Sequence, residues 1–62
     1  MASLYSEVTR ILREYGCWKV RESKHEIWRS PITGRPFAVP RSLKSKHTAN
    51  DIFRQAGIDR KM

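Results

Sequence analysis

The fold is decided between Val20 and Val39, VRESKHEIWRSPITGRPFAV. Just before it and at its start, Trp18 and Val20 alternate with Lys19 and Arg21. That is the period-two pattern of a half-buried strand. Glu22, Ser23 and Lys24 interrupt the pattern, and apolar residues resume at Ile27 and Trp28. Ser30-Pro31-Ile32-Thr33-Gly34 reads as a turn, because proline fixes its own φ and glycine tolerates positive φ. Phe37, Ala38 and Val39 form a third apolar run closed by Pro40. Two or three antiparallel strands joined by short turns account for this pattern. Strand parity puts His25 on the side of Ile27 and Arg29, opposite Glu26 and Trp28. Ile27 and Trp28 both favour burial but fall on opposite faces, so the pattern alone does not say which is inside.

The flanking segments read as helices. Leu4, Val8, Ile11, Leu12 and Tyr15 recur at spacings of three and four, marking one apolar face of a helix that runs to about Tyr15. Ser3 or Ser6 can cap its start, and Gly16 ends it. A second helix is expected over about Ala49 to Ala56, with Ala49, Ile52, Phe53 and Ala56 on one face and Gly57 as its stop. Ser45 or Thr48 is its candidate cap, and Asp51 falls three residues after Thr48, close to a capping box. The predicted order is helix, strand, strand, strand, helix. This is an α+β arrangement with two helices on one face of a small antiparallel sheet and the other face open. Residues 1–62 make one domain, with no repeat or linker in view.

A chain of 62 residues hides only roughly 60% of its unfolded surface on folding, so its core is modest. The formal net charge is +7 and is uneven along the chain. Residues 21–47 carry seven basic and two acidic groups, whereas the segments on either side carry three and two each. A basic excess concentrated in the strands and the loop after them favours a phosphate-bearing partner. Cys17 is the only cysteine, which rules out an intrachain disulfide and suits an intracellular, cytoplasmic setting. No apolar run is long enough for a membrane span, and Met1 to Ser6 reads as an ordinary start rather than a targeting segment. Cys17, His25 and His47 are too few and too irregular for a zinc pattern. No cofactor is implied.

His25 is the candidate for chemistry. Read alone, a lone histidine is most often an ordinary surface or partly buried residue. Imidazole, however, gives and takes protons near neutral pH, and Arg21, Lys24 and Arg29 are close in sequence. If they are also close in space, they would attract a phosphate and hold the ring neutral, while Glu26 would pull the other way. Arg35 follows the second turn, and Arg41, Lys44 and Lys46 make the loop before the last helix basic. Ser42, Ser45, Thr48 and the amides of a helix start can also donate to phosphate oxygens. The candidate RNA-binding residues are therefore Arg21, Lys24, Arg29, Arg35, Arg41, Lys44 and Lys46.

The order of elements, together with particular residues, resembles the HicA family of RNA-cleaving toxins from bacterial and archaeal toxin–antitoxin pairs. The likeness covers nearly the whole chain. It runs through Gly16, Trp18, Val20 and Arg21, then Ser23-Lys24-His25 with Trp28, then Gly34-Arg35 and Val39-Pro40, and finally Gln55-Ala56-Gly57-Ile58. The resemblance implies a fold like a double-stranded-RNA-binding domain, and it implies a catalytic role for His25. It also implies inhibition of translation by mRNA cleavage and a HicB-like antitoxin protein as partner. The family's glycine and serine before the histidine are Ser23 and Lys24 here, in a turn about one residue shorter. Where many members carry a further histidine after the valine-proline pair, this chain has Arg41 or Ser42, and His47 receives no catalytic role from the resemblance.

The reaction these residues suggest is metal-independent RNA cleavage. His25 would take the proton of a ribose 2′-hydroxyl or protonate the leaving 5′-oxygen, and Lys24 or Arg29 would offset charge on the phosphorane-like transition state. The other proton transfer needs water, a lysine or His47. The chain also lacks the acidic cluster that two-metal chemistry requires. Two other classes compete. One is an RNA-binding module of the same fold that does not cut, with Trp28 or another exposed aromatic stacking a base. The other is a protein-interaction domain whose basic face meets an acidic partner. A DNA reader fits less well, since neither helix is basic enough for the major groove.

Overall fold

The computed structural model describes residues 3–62; Met1 and Ala2, part of the stretch read as an ordinary start, lie outside them. The chain folds as α1 (Leu4–Glu14), β1 (Trp18–Glu22), β2 (Glu26–Arg29), β3 (Pro36–Val39) and α2 (Lys46–Ala56). The three strands form an antiparallel sheet in the order β1-β2-β3, and both helices pack against one face of it. The predicted α+β layering is therefore the observed one.

Ser3 caps α1, its Oγ accepting the Ser6 N–H at 3.1 Å. Val8, Ile11 and Leu12 face the core as their spacing requires, with Thr9 buried beside them. Tyr15 does not follow them. The helix stops at Glu14, Tyr15 becomes its cap and stays 40% exposed. Gly16 takes a left-handed φ of 87°, and the Cys17 N–H turns back to the Leu12 carbonyl at 2.9 Å. That is the bond pattern of a Schellman stop, and Cys17 packs into the core after it.

The core gathers Val8, Leu12, Trp28, Val39, Ile52 and Phe53, all essentially inaccessible. The competition between Ile27 and Trp28 is settled for Trp28, which is 1% exposed while Ile27 is only half-buried. An indole hides far more apolar surface than a butyl group, and it is buried cheaply only when its N–H finds an acceptor. Glu26, two residues earlier on the same face, supplies that acceptor at 2.9 Å. The Arg13 guanidinium lies 5.4 Å from the indole centroid and closes the ring from the α1 side.

The last helix begins three residues earlier than its apolar spacing predicts. Ser45 is its N-cap residue, without a side-chain cap bond, and Lys46 and His47 enter the first turn. Asp51 consequently sits in the second turn and takes no part in a capping box. The other end of α2 is tied to the β2–β3 turn. Ser30, fully buried, donates to the Ala56 carbonyl at 2.6 Å and accepts the Ile32 N–H at 3.1 Å. Gly57 follows with φ 76°, and Ile58 folds back on the helix end.

A Cβ on Gly57 would lie 2.8 Å from the γ-methyls of both Ile32 and Thr33, which sit on stiff β-branched side chains. Gly34 shares the positive φ, but a Cβ there meets nothing within 4 Å. Gly57→Ala should therefore destabilise the fold by about 2–3 kcal/mol, and Gly34→Ala by about 1 kcal/mol. Urea unfolding of the two variants checks the difference, and equal losses would show that the close approach to the turn contributes nothing.

Candidate nucleic-acid interface

Side chains alternate across the sheet, so the pairing assigns each residue to a face. Trp18, Arg29 and Pro36 form one row, and Lys19, Trp28 and Phe37 the next. Arg21, Ile27 and Ala38 form the third row, and Glu22, Glu26 and Val39 the fourth. The second and fourth rows hold the buried Trp28, Phe37, Glu26 and Val39 and therefore face the helices. The first and third rows look outward. Simple parity would place Arg21 with Lys19 and turn Glu22 out. The register instead shifts between Lys19 and Arg21, leaving Val20 as the extra residue of a β-bulge. Both strand arginines are thereby outside, and both strand carboxylates are on the helix side.

Those carboxylates hold a polar knot. Glu26 is 4% exposed and accepts from the Tyr5 hydroxyl as well as from Trp28. Arg41 pairs with Glu22 and lies 3.6 Å from the Glu26 carboxylate, while Lys19 donates to Glu22 at 2.9 Å. Burial pushes the Glu26 carboxyl up, but the bonds from Tyr5 and Trp28 and the nearby Lys19 and Arg41 charges outweigh it and leave it below its ordinary value. Hydrogen bonds from Lys19 and Arg41 lower Glu22 as well. Tyr5 is pushed up to about 12, first by burial and then by its bond to Glu26. Burial likewise raises the Cys17 thiol, as suits a packing residue.

The seven basic residues predicted to meet RNA therefore divide. Arg41 has its charge offset by two carboxylates. Arg21, Lys24, Arg29, Arg35, Lys44 and Lys46 are exposed and make no ion pair among the described residues. They are also divided in space. Glu26 pairs with both Glu22 and Val39, so the Ser23–His25 turn and the loop after β3 share one end of the sheet. Lys24 and His25 belong to that end, and the segment that leads to Lys44 and Lys46 starts from it. Arg29 and Arg35 belong to the other, beside Trp18 and Pro36. Arg21 lies between them.

His25 is exposed in the bend between β1 and β2, its carbonyl accepting the Ser23 N–H at 3.2 Å. Its nearest cation in the turn is Lys24. Arg29 is four residues further along the chain, at the far end of β2, about 13 Å away at a strand rise of ~3.3 Å per residue. Of the three cations near His25 in sequence, only Lys24 therefore shares its turn. The Glu26 carboxylate is turned to the opposite face, toward Tyr5, Trp28 and Arg41. His47, on the first turn of α2, has Asp51 at 3.9 Å. Trp28, named in advance as a possible stacking surface, is sealed in the core; the exposed indole is Trp18, at 47%. Its pairing with Arg29 would have revealed this only with the strand register in hand. Among the described residues, no group of three or more His, Cys, Asp or Glu side chains is placed to hold a metal ion. Among the same residues, no helix is long and apolar enough to cross a membrane.

The fold and its cationic outer face thus define a small two-layer α-β-β-β-α protein. Compared with protein-family models, curated proteins and solved structures, the chain gave no match.

The knot makes stability depend on pH at both extremes. Glu22 and Glu26 titrate lower in the fold than in the unfolded chain, so their contribution is present above the ordinary carboxylate value and is lost as the pH falls through the depressed values. Tyr5 titrates higher when folded, so its contribution is present below pH 10 and is lost as the pH rises toward about 12. Melting temperature should plateau between these limits and fall on either side. Glu26→Gln should make the acid limb shallower and Tyr5→Phe should remove much of the alkaline limb. An acid limb unchanged in Glu26→Gln would count against the knot.

Proposed function

We propose that this protein is a HicA-like toxin ribonuclease that cleaves RNA without a metal, using His25 as its acid–base group. The observation that carries the reading is an exposed imidazole in a tight turn at one end of the sheet. Lys24 is beside it, and the exposed basic segment of Lys44 and Lys46 leaves the same end. The sequence resemblance reaches the same residue independently. The basic groups attract the phosphate backbone, and His25 accepts the 2′-hydroxyl proton. The 2′-oxygen then bonds to phosphorus as the bond to the 5′-oxygen breaks, and the leaving oxygen takes a proton from water or from a second side chain. The products are a 2′,3′-cyclic phosphate and a 5′-hydroxyl. Lys24 offsets the added charge on phosphorus in the transition state. Cleavage of mRNA would inhibit translation, and a HicB-like antitoxin covering this end would restrain it.

A second reading, an RNA-binding module that does not cut, is favoured by the departures at Ser23 and Lys24. A small displacement of the imidazole costs much of the rate.

Incubation of a defined RNA with the parent protein and His25→Ala, each with excess chelator, separates the two. The parent should yield 2′,3′-cyclic phosphate ends, and the variant should be slower by about 100-fold or more. Equal rates would remove His25 from the mechanism, and cutting that stops with chelator would remove its metal-free character. RNA bound but left intact by the parent would establish the second reading.

A further inference from the structure

We propose that the outward face of the sheet carries a single strand of RNA, with Trp18 as the surface on which a base stacks. The inference rests on the RNA-binding reading above and assigns the substrate's form and path. Three observations carry it.

The first is what the face contains. Its two rows hold Trp18, Arg29 and Pro36, then Arg21, Ile27 and Ala38, with Val20 in the bulge beside Arg21. Trp18 is 47% exposed and Val20 51%. No carboxylate lies on these rows, because the bulge sends Glu22 to the side where Glu26 already is. A planar indole set among arginines, with no acidic group, matches a ligand that has both flat apolar faces and negative charge. Single-stranded nucleic acid has both.

The second is what the face excludes. In a duplex the bases are stacked on one another and paired, so none is free to lie on Trp18. A second copy of this chain would bring its own net charge of +7 against the same arginines. An acidic protein would satisfy the arginines, but not the requirement of a flat partner for the indole.

The third is direction. Trp18 begins β1 and Glu22 ends it, next to the turn that holds His25. Opposite them on β2 are Arg29 and Glu26, so the two ends are about 10 Å apart at a strand rise of ~3.3 Å per residue. A strand anchored by a base on Trp18, with phosphate on Arg29 and Arg35, passes Arg21 on its way to His25. The open face then supplies what the His25 turn lacks, a flat contact that holds unpaired bases and fixes the register of the phosphate presented for cleavage.

The test is made in the His25→Ala background, so that the RNA survives. Binding of a labelled single-stranded oligoribonucleotide, of the matching duplex and of inorganic polyphosphate is compared for that protein and for its Trp18→Ala and Trp18→Phe derivatives. Melting curves confirm that each is folded. Trp18→Ala should weaken single-strand binding by about 10-fold or more and leave duplex and polyphosphate binding within about 3-fold. Trp18→Phe, which keeps a flat ring, should bind the single strand within about 3-fold of the parent. Single-strand binding should quench the exposed indole of the parent but not the buried Trp28 that remains in Trp18→Phe. Undiminished single-strand binding by Trp18→Ala would overturn the sheet-face assignment while leaving RNA binding intact. Equal losses for single strand and polyphosphate would overturn it too, since only charge would then be involved. A parent that binds neither form of RNA would overturn the functional reading itself. If Trp18→Ala fails to fold, unquenched fluorescence in the parent overturns the assignment and quenching confined to Trp18 supports it.

Discussion

One extra residue in an edge strand governs the surface of this protein. Without the bulge at Val20, β1 would alternate regularly, Arg21 would point toward the helices and Glu22 toward solvent. With it, the sheet becomes a charge separator, with arginines on one side and carboxylates on the other. The edge position allows this, since β1 has a neighbour on only one side and a local bend there disturbs a single ladder. The bulge also twists an exposed edge, which discourages unwanted pairing with another chain.

The separation has a cost on the inner side, because a carboxylate in an apolar layer loses its hydration. Glu26 meets that cost with two neutral donors, Tyr5 and Trp28, and the nearby Arg41 guanidinium. The knot ties together the start of α1, the middle of the sheet and the loop after β3. It also gives the buried indole its acceptor, so the largest side chain in the core and the most deeply buried charge depend on each other. In a core of this size such a tie contributes specificity as well as stability.

The two ends of the sheet carry different chemistry for a topological reason. Antiparallel pairing brings the β1–β2 turn, which holds His25, and the exit of β3, from which the segment leading to Lys44 and α2 departs, to one end although they are distant in sequence. The β2–β3 turn is at the opposite end and serves structure, with Ser30 and Thr33 binding carbonyls at the close of α2. Placing the exposed, charged turn at one end and the packed helix stop at the other lets a small domain present charge without loosening its core.

Element order, the two glycine stops, the turn at Ser30–Gly34 and the two-layer architecture were legible in the sequence, because each follows from local chemistry: apolar spacing, proline, and glycine at positive φ. The sequence also put Lys24 beside His25, but Arg29, near it in sequence, is carried to the far end of β2. What was not legible depended on partners distant in sequence. Period-two reading cannot reveal a bulge, which is defined only against the opposite strand; it made β1 a half-buried strand in which Trp18 and Val20 alternate with Lys19 and Arg21, whereas every β1 residue is exposed and Trp18 faces outward with Arg21. It left Ile27 and Trp28 undecided because the choice turned on Glu26 accepting the indole N–H and on Arg13 covering the ring. It could not show that Arg41 is ion-paired, because its two carboxylate partners lie 15 and 19 positions earlier in the chain. Composition could say that this protein is basic; only the register of three short strands decided which way the charges point.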